Sequence, residues 1–292
     1  MKPPNRRRDP GRKAFTFLEL MVVLFLIAIV TAILLPTVGR TRAHDSGRVK
    51  CASNLRQIGQ AILLYANENK GSYPRTLYVV GGTLNFSSDA SNVATARDPF
   101  GKDGLPGRVA ANDVTAALFL LIRTQDITPE VFVCPSSNVG KDDYGSVAGI
   151  SAQSKVSFTD WRKNLSYSLA NPYPDAAAVE KGYKTNTTTG AEFAIAADMN
   201  GGVGGGYDVT AATERSSPQL MLKANSPNHQ GQGQNVLYGD GHASFEQNPF
   251  VGTKRDNIYT VSGSTDGSVT TSKTVVGSPR WAGDSVLLPA QN

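Results

Sequence analysis

Twenty consecutive residues without a charge, at positions 20–39, constrain most strongly how this chain can fold. A helix rises 1.5 Å per residue, so this run measures about 30 Å, the thickness of the hydrocarbon core of a bilayer. Glu19 stands at the start of the run, and a carboxylate in hydrocarbon costs several kcal/mol unless it is paired. The sequence therefore predicts a transmembrane helix over residues 15–39 and requires a partner for Glu19.

The positive charge of the chain is concentrated at its beginning. The formal net charge is +5, and residues 1–14 carry the whole excess, which leaves the rest of the chain formally neutral. A nucleic-acid-binding protein needs a basic face on its folded part, so nucleic acid is not expected as a partner. Basic residues ahead of an apolar run predict a cytoplasmic N-terminus and an exported remainder. We expect a single-pass inner-membrane protein with a periplasmic C-terminal domain.

Helical periodicity continues beyond the apolar run. Apolar side chains recur every three or four residues from Val49 to Tyr65, and Gly71 follows as a helix-end signal. Residues 40–71 are therefore predicted to be an exported amphipathic continuation of the helix. The predicted fold class is α+β, with a long N-terminal helix, transmembrane and then amphipathic, packed on a mainly antiparallel β-sheet domain with long loops at residues 72–292.

The expected strands are short apolar runs separated by Gly, Ser, Asn and Asp, which is typical of a sheet with long loops. These runs are LYVV at 77–80, VFVC at 131–134, FAIAA at 193–197, NVLYG at 235–239 and SVLLP at 285–289. One helical stretch is predicted at residues 113–124.

The N-terminal run allows more than one interpretation. An ordinary secretory signal peptide would be cut after a small residue such as Ala43, and a plain signal anchor would not be cut at all. Neither interpretation gives a reason for Glu19.

The segment KAFTFLELMVVLFLIAIVTAILLP, residues 13–36, resembles the N-terminus of type IV pilins and of the pseudopilins of type II secretion. In that family a prepilin peptidase removes a short basic leader and methylates the new N-terminal amine. The resemblance implies cleavage between Ala14 and Phe15, with residues 1–14 as the cytoplasmic leader. The family has Gly before the cut, whereas this chain has Ala14.

The same resemblance supplies a partner for Glu19. It implies that this carboxylate pairs with the amine of Phe15 in a neighbouring subunit, and that Pro36 bends the helix. A carboxylate and an ammonium that both leave water relieve each other's desolvation when they meet. The implied partners are prepilin peptidase, other pilin-like subunits and the inner-membrane assembly machinery.

Three further segments resemble the large pilin-like proteins of the planctomycete type, which carry a C-terminal processing-associated domain named for an H-x9-DG pattern. These segments are residues 51–74, 132–137 and 228–250. Ten residues, rather than nine, separate His229 from Asp240 in this chain.

The DG of this pattern has a local structural explanation. NVLYG and HASFE flank Asp240-Gly241, a dipeptide that suits a two-residue type I′ hairpin turn. The predicted register pairs Tyr238 with Ala243 and Val236 with Phe245. The alternative is functional: His229, Asp240 and His242 converge on a divalent metal together with Asp198. We expect no cofactor. Calcium is the alternative, because related pseudopilins hold calcium, but none of their calcium ligands matches a residue of this chain.

Cys51 and Cys134 are the two thiols of the chain. Both lie in the part predicted to be exported, where a disulfide between them would join the long helix to the sheet. The alternative is a pair of buried free thiols.

The predicted function is that of a pilin-like structural subunit in a type II secretion pseudopilus or a type IV pilus-like filament. An enzyme is not expected, because none of the three histidines belongs to a motif with a known catalytic spacing. The alternative function is a membrane-anchored binding module or metal-dependent domain that uses the helix only as an anchor.

Overall fold

The computed structural model of the chain describes residues 16–89, 100, 109–146, 149–269 and 272–291, without the side chains of residues 33–45. The predicted leader at residues 1–14 and the predicted new N-terminus Phe15 lie outside the described residues. The chain divides into two compact units, Met1–Ser46 and Gly47–Asn292. The second unit contains the sheet.

Helix α1, Phe17–Glu68, is the longest element of the chain. The side chains of residues 16–32 are exposed. Among the helices of the described residues, none combines the length and apolarity needed to cross a membrane. The transmembrane helix at residues 15–39 stays a prediction. Residue 15 and the side chains of residues 33–39, including Pro36, lie outside the described residues.

The end of α1 differs in detail from the prediction. Gly71 donates its N–H to the carbonyl of Ala66, five residues earlier, at 2.8 Å. This is the 6→1 hydrogen bond of a Schellman cap. Lys70 precedes it with a φ of 54°, and Gly71 itself has a φ of 81°. The cap therefore uses two consecutive left-handed residues, and the first of them is not glycine.

Within the second unit, one face of α1 is buried in the main core. Leu55, Ile58 and Ile62 of the predicted stripe are buried, and Cys51 extends the same face. Val49, predicted to start the stripe, is instead 70% exposed.

Five antiparallel strands form one sheet, which confirms the α+β class. The strands are β1 Tyr167–Ala170, β2 Ala194–Asp198, β3 Gln234–Tyr238, β4 Ala243–Glu246 and β5 Leu287–Leu288, in the spatial order β4-β3-β2-β1-β5. Three of the predicted runs became β2, β3 and β5. The predictions at 77–80 and 131–134 are wrong, because residues 77–80 are irregular and Pro129–Phe132 forms a 3₁₀ turn with Pro129 at its first position.

Of the four shorter α-helices, two precede the first strand, one connects β1 to β2 and one connects β2 to β3. They are α2 Val114–Thr124, α3 Trp161–Asn164, α4 Ala176–Glu180 and α5 Pro218–Ala224. Helix α2 matches the predicted helical stretch. Asp113 caps it by accepting a hydrogen bond from the Ala116 N–H at 2.9 Å.

The hairpin between β3 and β4 has a register one residue away from the prediction. Tyr238 donates its N–H to the carbonyl of His242, and Asn235 rather than Val236 lies opposite Phe245. The loop therefore has three residues, of which Gly241 has a φ of 87° while Asp240 has no positive φ. A type I′ turn requires positive φ at two positions, and the three-residue loop avoids that strain at the aspartate.

The register change has a consequence for side chains. A slip of one residue moves every side chain of a strand to the opposite face of the sheet. Phe245 thereby packs edge-on against the ring of His229, with ring centroids 5.6 Å apart.

Candidate functional site

Thr16 and Glu19 form a capping box at the start of α1. The Thr16 N–H donates to Glu19 Oε2 at 2.9 Å, and the Glu19 N–H donates to Thr16 Oγ1 at 3.3 Å. These reciprocal bonds satisfy backbone donors that the first turn of a helix leaves free. Glu19 thus has a partner within its own chain, which the T-x-x-E spacing in the sequence already indicates and the sequence analysis missed.

The remaining predicted assembly and cleavage residues are not part of the described geometry. Ala14, Phe15 and the Pro36 side chain lie outside the described residues. Their roles therefore stay predictions.

A disulfide joins Cys51 of α1 to Cys134, which follows the Pro129–Phe132 turn. The two Cα atoms are 5.2 Å apart, and both side chains are fully buried. The Cys134 N–H donates to Ser166 Oγ, which fixes the segment beside the start of β1. The crosslink therefore holds α1 against the part of the second unit that carries the sheet.

The ring of His229 points into the core beside this disulfide. A short turn, Pro227–His229, places it, with Ser226 as the capping residue and Gln230 in the left-handed conformation after it. His229 Nε2 lies 3.1 Å from Asp198 Oδ2 and 3.8 Å from Cys134 Sγ. His229 is fully buried, so its ring contributes to the core and not to a surface.

Asp198 ends strand β2, and neighbouring amides surround its carboxylate. Oδ2 accepts hydrogen bonds from the Asn235 backbone N–H at 2.6 Å and from its side-chain amide at 3.0 Å, and Oδ1 accepts one from the Asn228 amide at 3.2 Å. A buried carboxylate is stable only with such donors. The amides fix the orientation of the carboxylate toward His229.

The two pairs meet in one place. The ligand atoms of Cys51, Cys134, Asp198 and His229, called here the buried tetrad, all lie within 4.8 Å of one another, and all four residues are buried. The sequence analysis named Asp198 and His229 as metal candidates and the two cysteines as a crosslink. It did not foresee that they share one site.

Asp240 and His242 do not join the buried tetrad. They occupy the exposed end of the hairpin, where His242 Nδ1 lies 2.5 Å from Asp240 Oδ1 and the His242 ring stacks on Tyr238. Hydrogen bonds from the His242 backbone N–H and then from its ring lower the pKa of Asp240. The metal set predicted from the sequence is therefore split into two separate pairs.

The charge of Asp198 also affects neighbouring tyrosines. Burial, and after it the negative charge of Asp198, raises the pKa values of Tyr167 and Tyr259 well above the usual value. Both phenols therefore stay neutral, and the Tyr259 hydroxyl donates to the backbone carbonyl of Asp198 at 2.8 Å.

A second group of acidic side chains lies in the core at the C-terminal end of the chain. Burial raises the pKa of Asp284 to about 6 and that of Asp256 well above the usual value, and the charge of Asp284 raises the pKa of Asp256 further. Both carboxyls therefore keep their protons to a higher pH than exposed carboxyls do.

Residues 10–35 match the family model described as the prokaryotic N-terminal methylation motif. Comparison of the chain with curated proteins and with solved structures found no match. The match includes Ala14, Phe15 and Glu19, and it identifies a prepilin signal of the type IV pilin kind. Such a motif implies processing by prepilin peptidase, membrane anchoring and pilin-type extracellular assembly. The resemblance of residues 228–250 to the H-x9-DG family finds no support in these comparisons.

Proposed function

We propose that the chain is a pilin-like structural subunit of a type II secretion pseudopilus or of a type IV pilus-like filament. The observation that carries the proposal is the match of residues 10–35 to the N-terminal methylation motif. The subunit has no enzymatic activity and needs no cofactor in this role. Prepilin peptidase, other pilin-like subunits and the inner-membrane assembly machinery are its partners.

Processing begins at the peptide bond between Ala14 and Phe15. Its hydrolysis removes the basic leader and leaves a cationic amine on Phe15, four residues before Glu19. The mature subunit is held in the inner membrane by α1, with its second unit in the periplasm, until it enters a filament.

The N-terminal mass of the mature chain tests this step. We expect protein from membranes to begin at a methylated Phe15, because the basic leader ends at Ala14 and the matched motif, residues 10–35, spans the bond between Ala14 and Phe15. An intact Met1, or a start near Ala43, would contradict processing by prepilin peptidase.

Assembly depends on the carboxylate of Glu19. In the single chain Glu19 is exposed and bonds to Thr16. In the filament it meets the Phe15 amine of a neighbour, so that neither charge is left unpaired in apolar surroundings. Leaving such a charge unpaired costs several kcal/mol, which is enough to prevent insertion of the incoming subunit.

The capping box makes a sharp experiment available. Glutamine also completes a capping box, so Glu19→Gln keeps the helix start but removes the charge. Thr16→Ser keeps both and serves as the matched control. We expect both variants to be processed, Thr16→Ser to form filaments as the wild type does, and Glu19→Gln to fail in assays of crosslinked or sheared filaments. Normal filaments from Glu19→Gln would show that the residue acts only as a cap.

The alternative is a membrane-anchored binding module, and a cavity of about 180 Å³ in the second unit is the observation in its favour. It lies between α1 and the β3–β4 hairpin, where Gly59, Leu63 and Leu237 line it. A chain that never forms crosslinked oligomers in wild-type cells would favour this function over the filament.

A further inference from the structure

The buried tetrad has the spacing of a tetrahedral metal site. With zinc-to-ligand distances of about 2.0–2.3 Å, a tetrahedral site separates its nitrogen and oxygen ligands by about 3.3 Å and its nitrogen and sulfur ligands by about 3.6 Å. His229 Nε2 lies 3.1 Å from Asp198 Oδ2 and 3.8 Å from Cys134 Sγ. These two separations are close to the required values, and a cation at Nε2 would replace the contact that this nitrogen makes with Asn235 Nδ2 at 3.2 Å.

The donor atoms of the tetrad select a class of metal. Two thiolates, one imidazole and one carboxylate form a set that binds Zn²⁺ and similar borderline cations, whereas Ca²⁺ and Mg²⁺ require sites made of oxygen. All four side chains are buried, so a bound cation would be shielded from solvent.

Neighbouring side chains orient two of the four residues of the buried tetrad, as is usual for metal ligands. Amides of Asn228 and Asn235 orient the carboxylate of Asp198, and the edge of Phe245 fixes the ring of His229. Such outer contacts tune metal sites. Within the described part of the chain His229 Nδ1 has no hydrogen-bond acceptor. That nitrogen carries the proton when Nε2 binds a metal.

We propose that the chain in its dithiol form binds one zinc-type divalent cation through Cys51, Cys134, Asp198 and His229, and that the disulfide and the bound metal are alternative states of the same two sulfurs. On binding, the two thiols release two protons and the cation takes both thiolates. Rotation of the two cysteine side chains opens the sulfur pair to the separation of about 3.8 Å found in a tetrahedral dithiolate.

Oxidation of the two thiolates releases the cation and restores the disulfide. The two thiolates give two electrons to a disulfide-bearing oxidant, form the bond between Cys51 and Cys134, and release the cation. The oxidant takes up two protons and leaves as two thiols. A bound cation therefore protects the sulfurs from oxidation, since thiolates engaged by a metal are not free to attack a disulfide.

Cobalt(II) is the probe that tests the proposal, since tetrahedral cobalt thiolates absorb intensely in the visible and near-ultraviolet. The full-length chain, in mild detergent, is reduced with a water-soluble phosphine, freed of it without oxygen, and titrated with Co²⁺. We expect one Co²⁺ per reduced chain with thiolate-to-cobalt bands, and no such bands from the disulfide form. If reduction unfolds the second unit, the metal must restore its near-ultraviolet circular dichroism.

Matched variants distinguish the contributions of His229 and Asp198 to metal binding from that of the two thiols alone. His229→Gln and Asp198→Asn should weaken Co²⁺ binding at least tenfold. His242→Gln, which alters the exposed histidine–aspartate pair, should bind as the wild type does. One equivalent of Zn²⁺ should also slow oxidation of the wild-type thiols by oxidised glutathione at least tenfold, but not those of His229→Gln. A reduced, folded chain without cobalt–thiolate bands would overturn the proposal, and so would equal affinity in the wild type, His229→Gln and Asp198→Asn.

Discussion

Reduction of the disulfide between Cys51 and Cys134 should destabilise the second unit by several kcal/mol. The two residues are 83 positions apart, and a crosslink that closes a loop of this length lowers the entropy of the unfolded chain by an amount equivalent to about 4–5 kcal/mol. Both cysteines are fully buried in the main core, and the expected loss is this entropic value.

Fluorescence in urea measures this loss. The two tryptophans, Trp161 and Trp281, are buried in the second unit and report on its unfolding alone. For a unit of this size, with a denaturant slope of about 3 kcal/mol/M, reduction should lower the urea midpoint by roughly 1.5 M. The measurement uses full-length chain in mild detergent with a chelator, which keeps metal out of the comparison.

A cysteine-free variant provides the control. The double substitution Cys51→Ala and Cys134→Ala should make the midpoint insensitive to the phosphine reductant. The reasoning is refuted if the oxidised and reduced wild-type chains unfold within about 1 kcal/mol of each other, because the crosslink would then contribute no loop entropy.

Two further substitutions test other parts of the second unit. Gly239→Ala should cost about 2–4 kcal/mol because its Cβ would overlap the carbonyl oxygen of Gly190, whereas Gly206→Ala, with open space around it, should stay within about 0.5 kcal/mol of the wild type in urea unfolding. Burial gives Asp284, which lies beside Asp256, a pKa of about 6 in the folded state, so the folded chain holds this proton more tightly than the unfolded chain does. Ionisation of Asp284 therefore lowers the free energy of unfolding as pH rises from about 4 to about 6. Asp256→Asn should reduce that fall and raise the melting temperature relative to the wild type at pH 7.5 but not at pH 4.5, and a variant less stable at pH 7.5 would contradict the raised pKa of Asp256.

Local signals in the sequence were sufficient for several elements. The prepilin signal depends on residues close together in the chain, and α2 is marked by Asp113 before an apolar run. The capping box of Thr16 and Glu19 has an equally local signal, the T-x-x-E spacing, although the sequence analysis did not predict it. The capping box gives Glu19 a local role, and its pairing with a neighbouring subunit stays a proposal.

Features that depend on distant residues were not predictable in the same way. The hairpin register depends on whether Asp240 accepts a positive φ, and the dipeptide Asp-Gly alone does not decide this. Strand β1 was missed because its four residues, YSLA, include a serine and an alanine and form no apolar run, although Asn171-Pro172 follows as a turn signal. The meeting of the cysteines with Asp198 and His229 follows from the pairing of β2 with β3 and from the turn at Pro227, which no short pattern encodes.

The crosslink from α1 to Cys134 also determines how the second unit transmits mechanical tension. Force applied to the N-terminal part of α1 is transmitted through Cys51 and the disulfide bond to Cys134. Residues 52–133 therefore lie outside the covalent path from α1 to the sheet. A stretched chain of that length would extend by roughly 280 Å. While the disulfide is intact, tension along α1 cannot extend this segment, and the force acts directly on the strands beyond residue 134.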